Sequence, residues 1–239
     1  MADPSKHAPG TVCWVDLGVP DGGGAAAFYT ALLGWQISPP DPTGYRLAHL
    51  HGHPVAALGP PEEPGPPYWT VYIHTPDAAA TGRAATAAGG SIVVPAAPAG
   101  DAGTAATVRD PAGAPLSLWQ PGTHPGTWAF GTHGTLADVQ LRTDQPVQHQ
   151  AFLQDLLGWQ RHNDVAALNG QPVATWTRPA LGAPRTAGSP WVVRFHVQDV
   201  PTALKQAANL GATTIDAEPG ILLDPAGALV GLTTARNFA

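Results

Sequence analysis

Asp16, Tyr72 and His74 are the residues of this chain best suited to acid–base chemistry. They lie in two predicted strands, within VCWVDL (12–17) and PYWTVYIHTPD (67–77). A carboxylate inside a strand is costly to bury unless it is paired, so Asp16 requires Tyr72, His74 or a ligand as its partner. In an enzyme, Asp16 or His74 would act as general acid or base while Tyr72 positions a carbonyl or hydroxyl group. The alternatives are a structural Asp16 and an exposed His74.

Side chains alternate between the two faces of a strand, which predicts the neighbours of Asp16. Cys13, Val15 and Leu17 should point toward helices, whereas Asp16 points the other way. Further polar and aromatic side chains share the face of Asp16, namely Trp14, Thr70, Tyr72, His74, Ser117 and Trp119. The two tryptophans form either a platform for a flat, conjugated ligand or ordinary core packing.

The second half of the chain offers a different set of candidates for ligand binding. By the same alternation they are Asp138, Gln140, Trp176, Arg194 and His196. Arg194 could bind a carboxylate or phosphate of the ligand through two hydrogen bonds. The alternative, which we favour, is an internal salt bridge between Arg194 and Asp138.

The chain repeats itself at about half its length. FYTALLGWQ (28–36) returns as FLQDLLGWQ (152–160), and DPAGAPLSL (110–118) returns as DPAGALVGL (224–232). HGHPVAAL (51–58) likewise returns as NGQPVATW (169–176). A duplication therefore predicts two domains, 9–121 and 133–236, joined by the linker 122–132, which is rich in Gly, Pro and Thr.

Each half contains two units in which a strand leads into one helix and then into further strands. In the first half, helices are predicted at 22–34 and 78–88, and glycines such as Gly34 end them. The Asp110-Pro111-Ala112-Gly113 segment forms the last turn. Because single helices separate runs of strands, the pattern favours an α+β fold over a doubly wound parallel sheet.

These units resemble the vicinal oxygen chelate superfamily, which includes glyoxalase I, bleomycin-resistance proteins and extradiol dioxygenases. The AxxFYxxLLGW helix and the DPAGxxxxLWQP strand are similar to a tandem-domain, actinobacterial, glyoxalase-like branch often labelled "hydroxylase". The resemblance covers residues 9–121 and 133–236. It implies four βαβββ units that form two curled-sheet cups. It also implies a divalent metal held by His, Glu or Gln on the first and last strands of the units.

The positions where the resemblance places metal ligands hold unsuitable residues. They are Trp14, Ala56, Thr70 and Ser117 in the first half, and Ala137 or Asp138, Ala174, Val192 and Gly231 in the second. A divalent cation needs several anionic or imidazole donors, and neither set supplies them. The alternating histidines of HLHGH (49–53) are interrupted by a turn. We therefore predict no metal and no other cofactor.

Composition argues against several classes of function. The net charge is -6 and the 11 Lys and Arg residues form no run, so binding to nucleic acid or to an anionic membrane has little support. The single cysteine, Cys13, rules out an internal disulfide. The N-terminal MADPSKHAPG lacks the apolar core of a signal peptide, and no run approaches the roughly 18 apolar residues that span a bilayer. We expect a cytoplasmic monomer or homodimer that binds a small molecule.

Three functions fit these residues. The first is a metal-independent enzyme that cyclises, isomerises, eliminates from or tailors an aromatic or polyketide-like metabolite by acid–base chemistry. The second is a non-catalytic protein that sequesters a drug, as bleomycin-resistance proteins do. The third is a metal-dependent glyoxalase or dioxygenase whose ligands lie elsewhere. The combination of Asp16, Tyr72 and His74 favours the first, since sequestration does not require it.

Overall fold

The computed structural model describes residues 7–61, 65–180 and 189–235 and confirms the predicted α+β fold. The predicted end of the second domain, residue 236, lies outside the described residues. The first half contains β1 (Val12–Gly18), α1 (Gly22–Leu33), β2 (Gln36–Ile37), β3 (Arg46–Leu50), β4 (His53–Gly59), β5 (Tyr68–His74), α2 (Ala78–Ala87), β6 (Ser91–Pro98), β7 (Gly103–Arg109) and β8 (Pro115–Pro121).

The second half repeats this order of elements. It contains β9 (Leu136–Arg142), α3 (Pro146–Leu157), β10 (Gln160–His162), β11 (Val165–Leu168), β12 (Gln171–Thr177), β13 (Trp191–His196), α4 (Val200–Asn209), β14 (Thr213–Thr214), β15 (Ile221–Leu223) and β16 (Leu229–Thr233). The described residues thus form four βαβββ units, as the repeats predict.

Each half folds into one open, mixed, eight-stranded sheet, and the two sheets have equivalent strand orders. The orders are β2-β3-β4-β1-β5-β8-β7-β6 and β10-β11-β12-β9-β13-β16-β15-β14. In the first sheet, β1 pairs parallel to β4 and antiparallel to β5, and β5 pairs parallel to β8. The first strands of the two units therefore lie side by side at the centre of each sheet.

The repeated LLGW motif ends a helix and joins the two halves. Gly34 adopts a left-handed conformation (φ 75°) and its N–H donates to the carbonyl of Thr30, which closes α1 as predicted. The next residue, Trp35, donates its indole N–H to the carbonyl of Gly134 at 2.7 Å. Trp159, its counterpart in the second half, donates to the carbonyl of Gly10, also at 2.7 Å.

The aspartates of the two repeated DPAG turns are also bound by the opposite half. Tyr29 of α1 donates its hydroxyl to Asp224 at 2.8 Å, and His149 of α3 forms a hydrogen-bonded pair with Asp110. Burial raises the pKa of Tyr29, and the neighbouring Asp224 raises it further, so the hydroxyl remains a donor. The aspartate of each DPAG turn is therefore held by a buried side chain from the first helix of the opposite half.

The apolar core is continuous across the two halves. Phe195 of β13 lies 5.1 Å, between ring centroids, from both Trp35 and Trp69 of the first half. The helix-facing sides of both sheets contribute to this single cluster of buried side chains. Within the described residues, no helix has the length and apolar character needed to cross a membrane.

We predict that Tyr29→Phe lowers the free energy of unfolding by about 1–3 kcal/mol, because it leaves the buried carboxylate of Asp224 without this donor. Because the core is shared, both halves should still unfold in one transition. Urea unfolding followed by tryptophan fluorescence measures both quantities. Val147→Ala, at a side chain 76% exposed, serves as a control and should change stability by less than about 0.5 kcal/mol. An unchanged stability in Tyr29→Phe, or two separate transitions, would contradict the prediction.

Candidate functional site

A cavity of about 770 Å³ lies against the first sheet. Its wall is formed by aromatic residues from the sheet centre and by residues next to the sheet edges, including Trp14, Tyr72, Trp119, Tyr45, Ala105 and Ser38. Central and outer strands of this open sheet thus contribute to one cavity. The volume and the apolar wall with a few polar groups are typical of a site for a small organic molecule.

Asp16 is held by two tyrosine hydroxyls. Tyr72 donates to Oδ2 of Asp16 at 2.7 Å, and Tyr45 donates to the same oxygen. Asp16 is only 6% exposed and lies behind the tyrosines, in a small pocket that also contains Thr70. Its predicted pairing with Tyr72 is therefore present, and Tyr45 is an additional partner. The main cavity is lined by the tyrosines and not by Asp16.

The two tryptophans lie on the cavity side of the sheet, as alternation predicts. Trp14 and Trp119 are 4% and 6% exposed and form a cluster with Tyr72, Ala57 and Cys13. They line the cavity while most of each ring is packed. Their positions are thus fixed by packing against the sheet.

The predicted orientation of the Cys13 side chain was wrong. It was expected to face the helices, but it packs with the cavity-side cluster. The pairing of β1 with β5 shifts register between Val12 and Trp14, so strict alternation fails at this point. Burial also raises the pKa of the Cys13 thiol strongly, which makes it unsuitable as a nucleophile.

Two other predicted residues of the first sheet do not line the main cavity. Ser117 is fully buried and shares a 2.9 Å hydrogen bond with Thr107 of the adjacent strand. His74 is half-buried at the end of β5, beside Trp119 in the sheet register, and is absent from the cavity wall. Burial lowers its pKa.

In the second sheet, the salt bridge that we favoured is formed. Nη1 of Arg194 lies 3.4 Å from Oδ2 of Asp138, which is fully buried, and the two residues are direct partners between β13 and β9. Gln140 is half-buried beside Val192 in the same pairing. His196 is buried at the end of β13, beside Thr233.

Trp176 lies on the opposite face from the one predicted. The register of β12 with β9 places Thr175 beside Gln140 and Trp176 beside Leu141, so Trp176 joins the shared apolar core. Its ring lies 5.6 Å below the guanidinium of Arg161. The prediction that Trp176 lines the second cup was therefore wrong, because the register of β12 with β9 turns its side chain into the shared core.

The residues at the family's metal positions do not fit a divalent cation. Trp14 packs in the aromatic cluster, and Ser117 already bonds to Thr107. At Gly231, a Cβ atom would lie 2.5 Å from Cγ of Arg194, so the glycine makes room for a cationic side chain. Among the described residues, no group of three His, Cys, Asp or Glu side chains could hold a metal ion. The chemistry of this donor set gives no basis for a step through a metal.

The histidines of HLHGH do not converge either. His51 is exposed at the tip of the hairpin with φ 53°, as the predicted turn requires. His53 stacks on Trp128 with 4.1 Å between ring centroids.

Tyr45 and His124 are among the residues of the cavity wall that the sequence did not predict. Tyr45 lies just before β3, where strand alternation does not apply. His124 lies in the segment 122–132, interpreted only as a linker, although this segment packs on the cavity. Its N–H donates to the carbonyl of Ala102 at 3.1 Å. The clustering of two histidines and a tryptophan in QPGTHPGTWAFGTH (120–133) was the one available signal.

Burial lowers the pKa of His124, and the nearby His7 lowers it further. Burial likewise lowers the pKa of His7, an effect opposed by the backbone of Thr127 and reinforced by His74. These histidines are therefore neutral at pH 7.

Comparison with known proteins matches both halves of the chain to one family. A family model described as a glyoxalase-like domain matches residues 13–119 and again 138–233. Over 253 aligned residues, the chain is 34% identical to the putative glyoxylase CFP32 of Mycobacterium bovis, covering 96% of each protein. Over 267 aligned residues, it is 31% identical to the anthracycline biosynthesis protein DauV of Streptomyces sp. strain C5, covering 98% of this chain and 96% of DauV.

Solved structures share the fold. The Mn(II)-bound glyoxalase from Novosphingobium aromaticivorans matches with a TM-score of 0.61 at 16% sequence identity, covering 94% of this chain and 81% of that one. At this identity the likeness concerns the fold alone.

We predict that acidification from about pH 7 to about pH 5 destabilises the wild-type protein more than it destabilises His124→Gln. The folded-state pKa of His124 lies below the unfolded value of about 6.5, so below that pH the unfolded chain binds more protons and is favoured. Urea unfolding across this pH range measures the difference. His51→Gln, at an exposed loop tip, should keep the wild-type pH dependence. Parallel pH curves for wild type and His124→Gln would refute this assignment.

Proposed function

The chain belongs to the glyoxalase-like domain family, and we propose that it tailors a planar polycyclic metabolite by metal-independent acid–base chemistry in its N-terminal cavity. This membership confirms the vicinal oxygen chelate resemblance of the repeated motifs. The observation that carries the proposal is the pairing of Tyr45 and Tyr72 with one buried carboxylate, Asp16, at the wall of an aromatic cavity.

The class of ligand follows from the cavity and from one relative. Trp14 and Trp119 supply packed aromatic surface, which suits a flat conjugated ring system. DauV, an anthracycline biosynthesis protein, is similar to this chain over nearly its whole length. Anthracyclines are polycyclic aromatic polyketides that carry hydroxyl and carbonyl groups. We therefore infer a substrate of this class.

Asp16 would act on the substrate through the tyrosines. Each tyrosine hydroxyl donates its proton to Asp16, and a hydroxyl oxygen also has lone pairs that can accept a hydrogen bond from a ligand hydroxyl. A proton taken up from the ligand by Tyr72 can be balanced by the release of its own proton to the carboxylate. In this arrangement Tyr45 and Tyr72 contact the substrate, and Asp16 is a positioning residue that also holds the proton.

The other predicted residues have supporting roles in the proposal. Thr70 borders the pocket of Asp16, and Ser117 supports the strand beside Tyr72. In the second sheet, Arg194 remains a candidate for binding a ligand anion beside its salt bridge, since 21% of its side chain is exposed. We propose a monomer or homodimer as the working form.

A second candidate function is sequestration of such a ligand without catalysis. It is favoured by the position of Asp16, which is enclosed behind two tyrosines and does not line the main cavity. A carboxylate in that position can simply hold the tyrosines in place. The two functions differ in whether a product forms.

We predict that Asp16→Asn lowers turnover of a hydroxylated aromatic polyketide about a hundredfold, because the amide cannot hold the transferred proton. Affinity should stay within about threefold, since the amide oxygen still accepts from the tyrosines. Product formation followed by chromatography and binding followed by tryptophan quenching measure the two effects. The exposed Asp155→Asn is the matched control. Unchanged turnover in Asp16→Asn would reject this role, and binding without product in the wild type would favour sequestration.

We also predict that Ala105→Phe weakens ligand binding at least about tenfold, because the phenyl ring occupies the cavity next to Trp119. The control is Ala79→Phe on the exposed side of α2. Titration with the same polyketide, followed by tryptophan quenching, compares the two variants. Equal affinities would place the ligand site elsewhere.

A further inference from the structure

We propose that His124 is a catalytic residue that takes a proton from a phenolic or enolic hydroxyl of the bound ligand, and that His7 receives a proton from His124 in turn. This inference rests on the proposed function, since it requires a hydroxylated ligand in the N-terminal cavity. It assigns a role to two residues outside both segments matched by the family model, 13–119 and 138–233.

Three contacts hold His124 at the cavity wall. Its ring meets the ring of Trp14 edge to face, with 4.4 Å between centroids. Its carbonyl accepts the indole N–H of Trp119 at 2.9 Å, and its N–H donates to Ala102. The imidazole is therefore fixed between the two tryptophans of the proposed ligand platform.

The unused nitrogen atoms of the histidines indicate a polar path behind this wall. Nε2 of His124 and Nε2 of His7 are both enclosed by protein without a hydrogen-bond partner, and so is Nδ1 of His74. Buried polar atoms are nearly always paired, directly or through water. A neutral imidazole has one donor and one acceptor nitrogen, so His124 and His7 can pair directly or through a water. Because Nε2 of His124 is enclosed, we assign Nδ1 as the nitrogen that meets the ligand.

At Gly126, the segment that carries His124 comes close to β1 and to His7. Its φ is 124°, and a Cβ atom would lie 2.4 Å from the carbonyl oxygen of Cys13 and 3.0 Å from Nε2 of His7. Thr127 then donates its N–H to the same carbonyl at 2.7 Å. A glycine at this position lets the segment that carries His124 lie directly against β1 and His7.

The proposed step balances without an oxidant or a metal. The O–H bond of the ligand breaks and an N–H bond forms at Nδ1 of His124, while the proton on Nε2 passes to Nε2 of His7. The products are a ligand phenolate or enolate, a neutral His124 and a protonated His7 that faces the backbone of Thr127. Other titratable groups around this path are His74 beside His7, Tyr45, Tyr72 and Asp41 on the cavity wall, and Asp16 behind the tyrosines.

The test uses alizarin, a planar dihydroxyanthraquinone whose visible absorption moves to longer wavelength when a hydroxyl ionises. At the pH where half of the free dye is ionised, dye bound to the wild-type protein should be more ionised than the free dye. His124→Gln should keep the tryptophan quenching that reports binding, but lower the ratio of ionised to neutral bound dye about tenfold, equivalent to one pKa unit. His7→Gln should lower the ratio less while leaving quenching unchanged, which a purely structural role would not produce. His51→Gln is the exposed control.

The outcomes separate this inference from the proposed function. If wild-type protein does not bind alizarin, the proposed ligand class is wrong and the inference falls with it. If alizarin binds and its spectrum is the same in wild type and His124→Gln, the role of His124 is overturned while the ligand class stands. If only His7→Gln leaves the spectrum unchanged, the proton transfer to His7 is overturned. Because His7 is not part of the cavity wall, His7→Gln still tests the proton path from His124 if His124→Gln fails to fold, and an unchanged spectrum would overturn that path.

Discussion

The structure depends on a reciprocal set of buried hydrogen bonds between two halves that share one core. Trp35 and Trp159, from the two copies of LLGW, each donate to a glycine carbonyl at the start of the opposite half. Because these bonds are buried, breaking either one leaves an unpaired polar group inside the core. These bonds hold the helix-facing side of each sheet against the shared core, so the other face of each sheet, its second face, points away from that core. In the first sheet that face is the one that lines the cavity.

The cavity wall of the first sheet also depends on hydrogen bonds to a buried polar group. A carboxylate on a buried strand needs hydrogen-bond donors, and Asp16 obtains them from Tyr45 and Tyr72. Satisfying Asp16 in this way orients both hydroxyls at the cavity wall. His124 differs, because its enclosed Nε2 has no such partner. The carboxylate of Asp16 is thus satisfied by its neighbours, whereas Nε2 of His124 can still form a hydrogen bond.

Much of this arrangement could be predicted from the sequence, and the failures have physical causes. The repeats predicted the fold, and alternation placed Trp14, Tyr72 and Trp119 on one face, since period-two geometry holds within a regular strand. Alternation failed at Cys13, where the register shifts, and at Trp176, where the pairing of β12 with β9 sets the face. Tyr45 and His124 were missed because no periodicity places a residue that lies outside strands.

The second faces of the two sheets carry different side chains. In the first sheet, neutral aromatic side chains such as Trp14 surround an open cavity. In the second, Arg194 extends over Gly231 to its ion pair with Asp138, beside an apolar cluster that includes Val192 and Ile221. The carboxylate of Asp138 is fully buried, so removing its partner Arg194 would be costly. In the second sheet this face is thus occupied by a charged pair, whereas the first half contains the cavity and the histidine Nε2 atoms of His7 and His124 that lack hydrogen-bond partners.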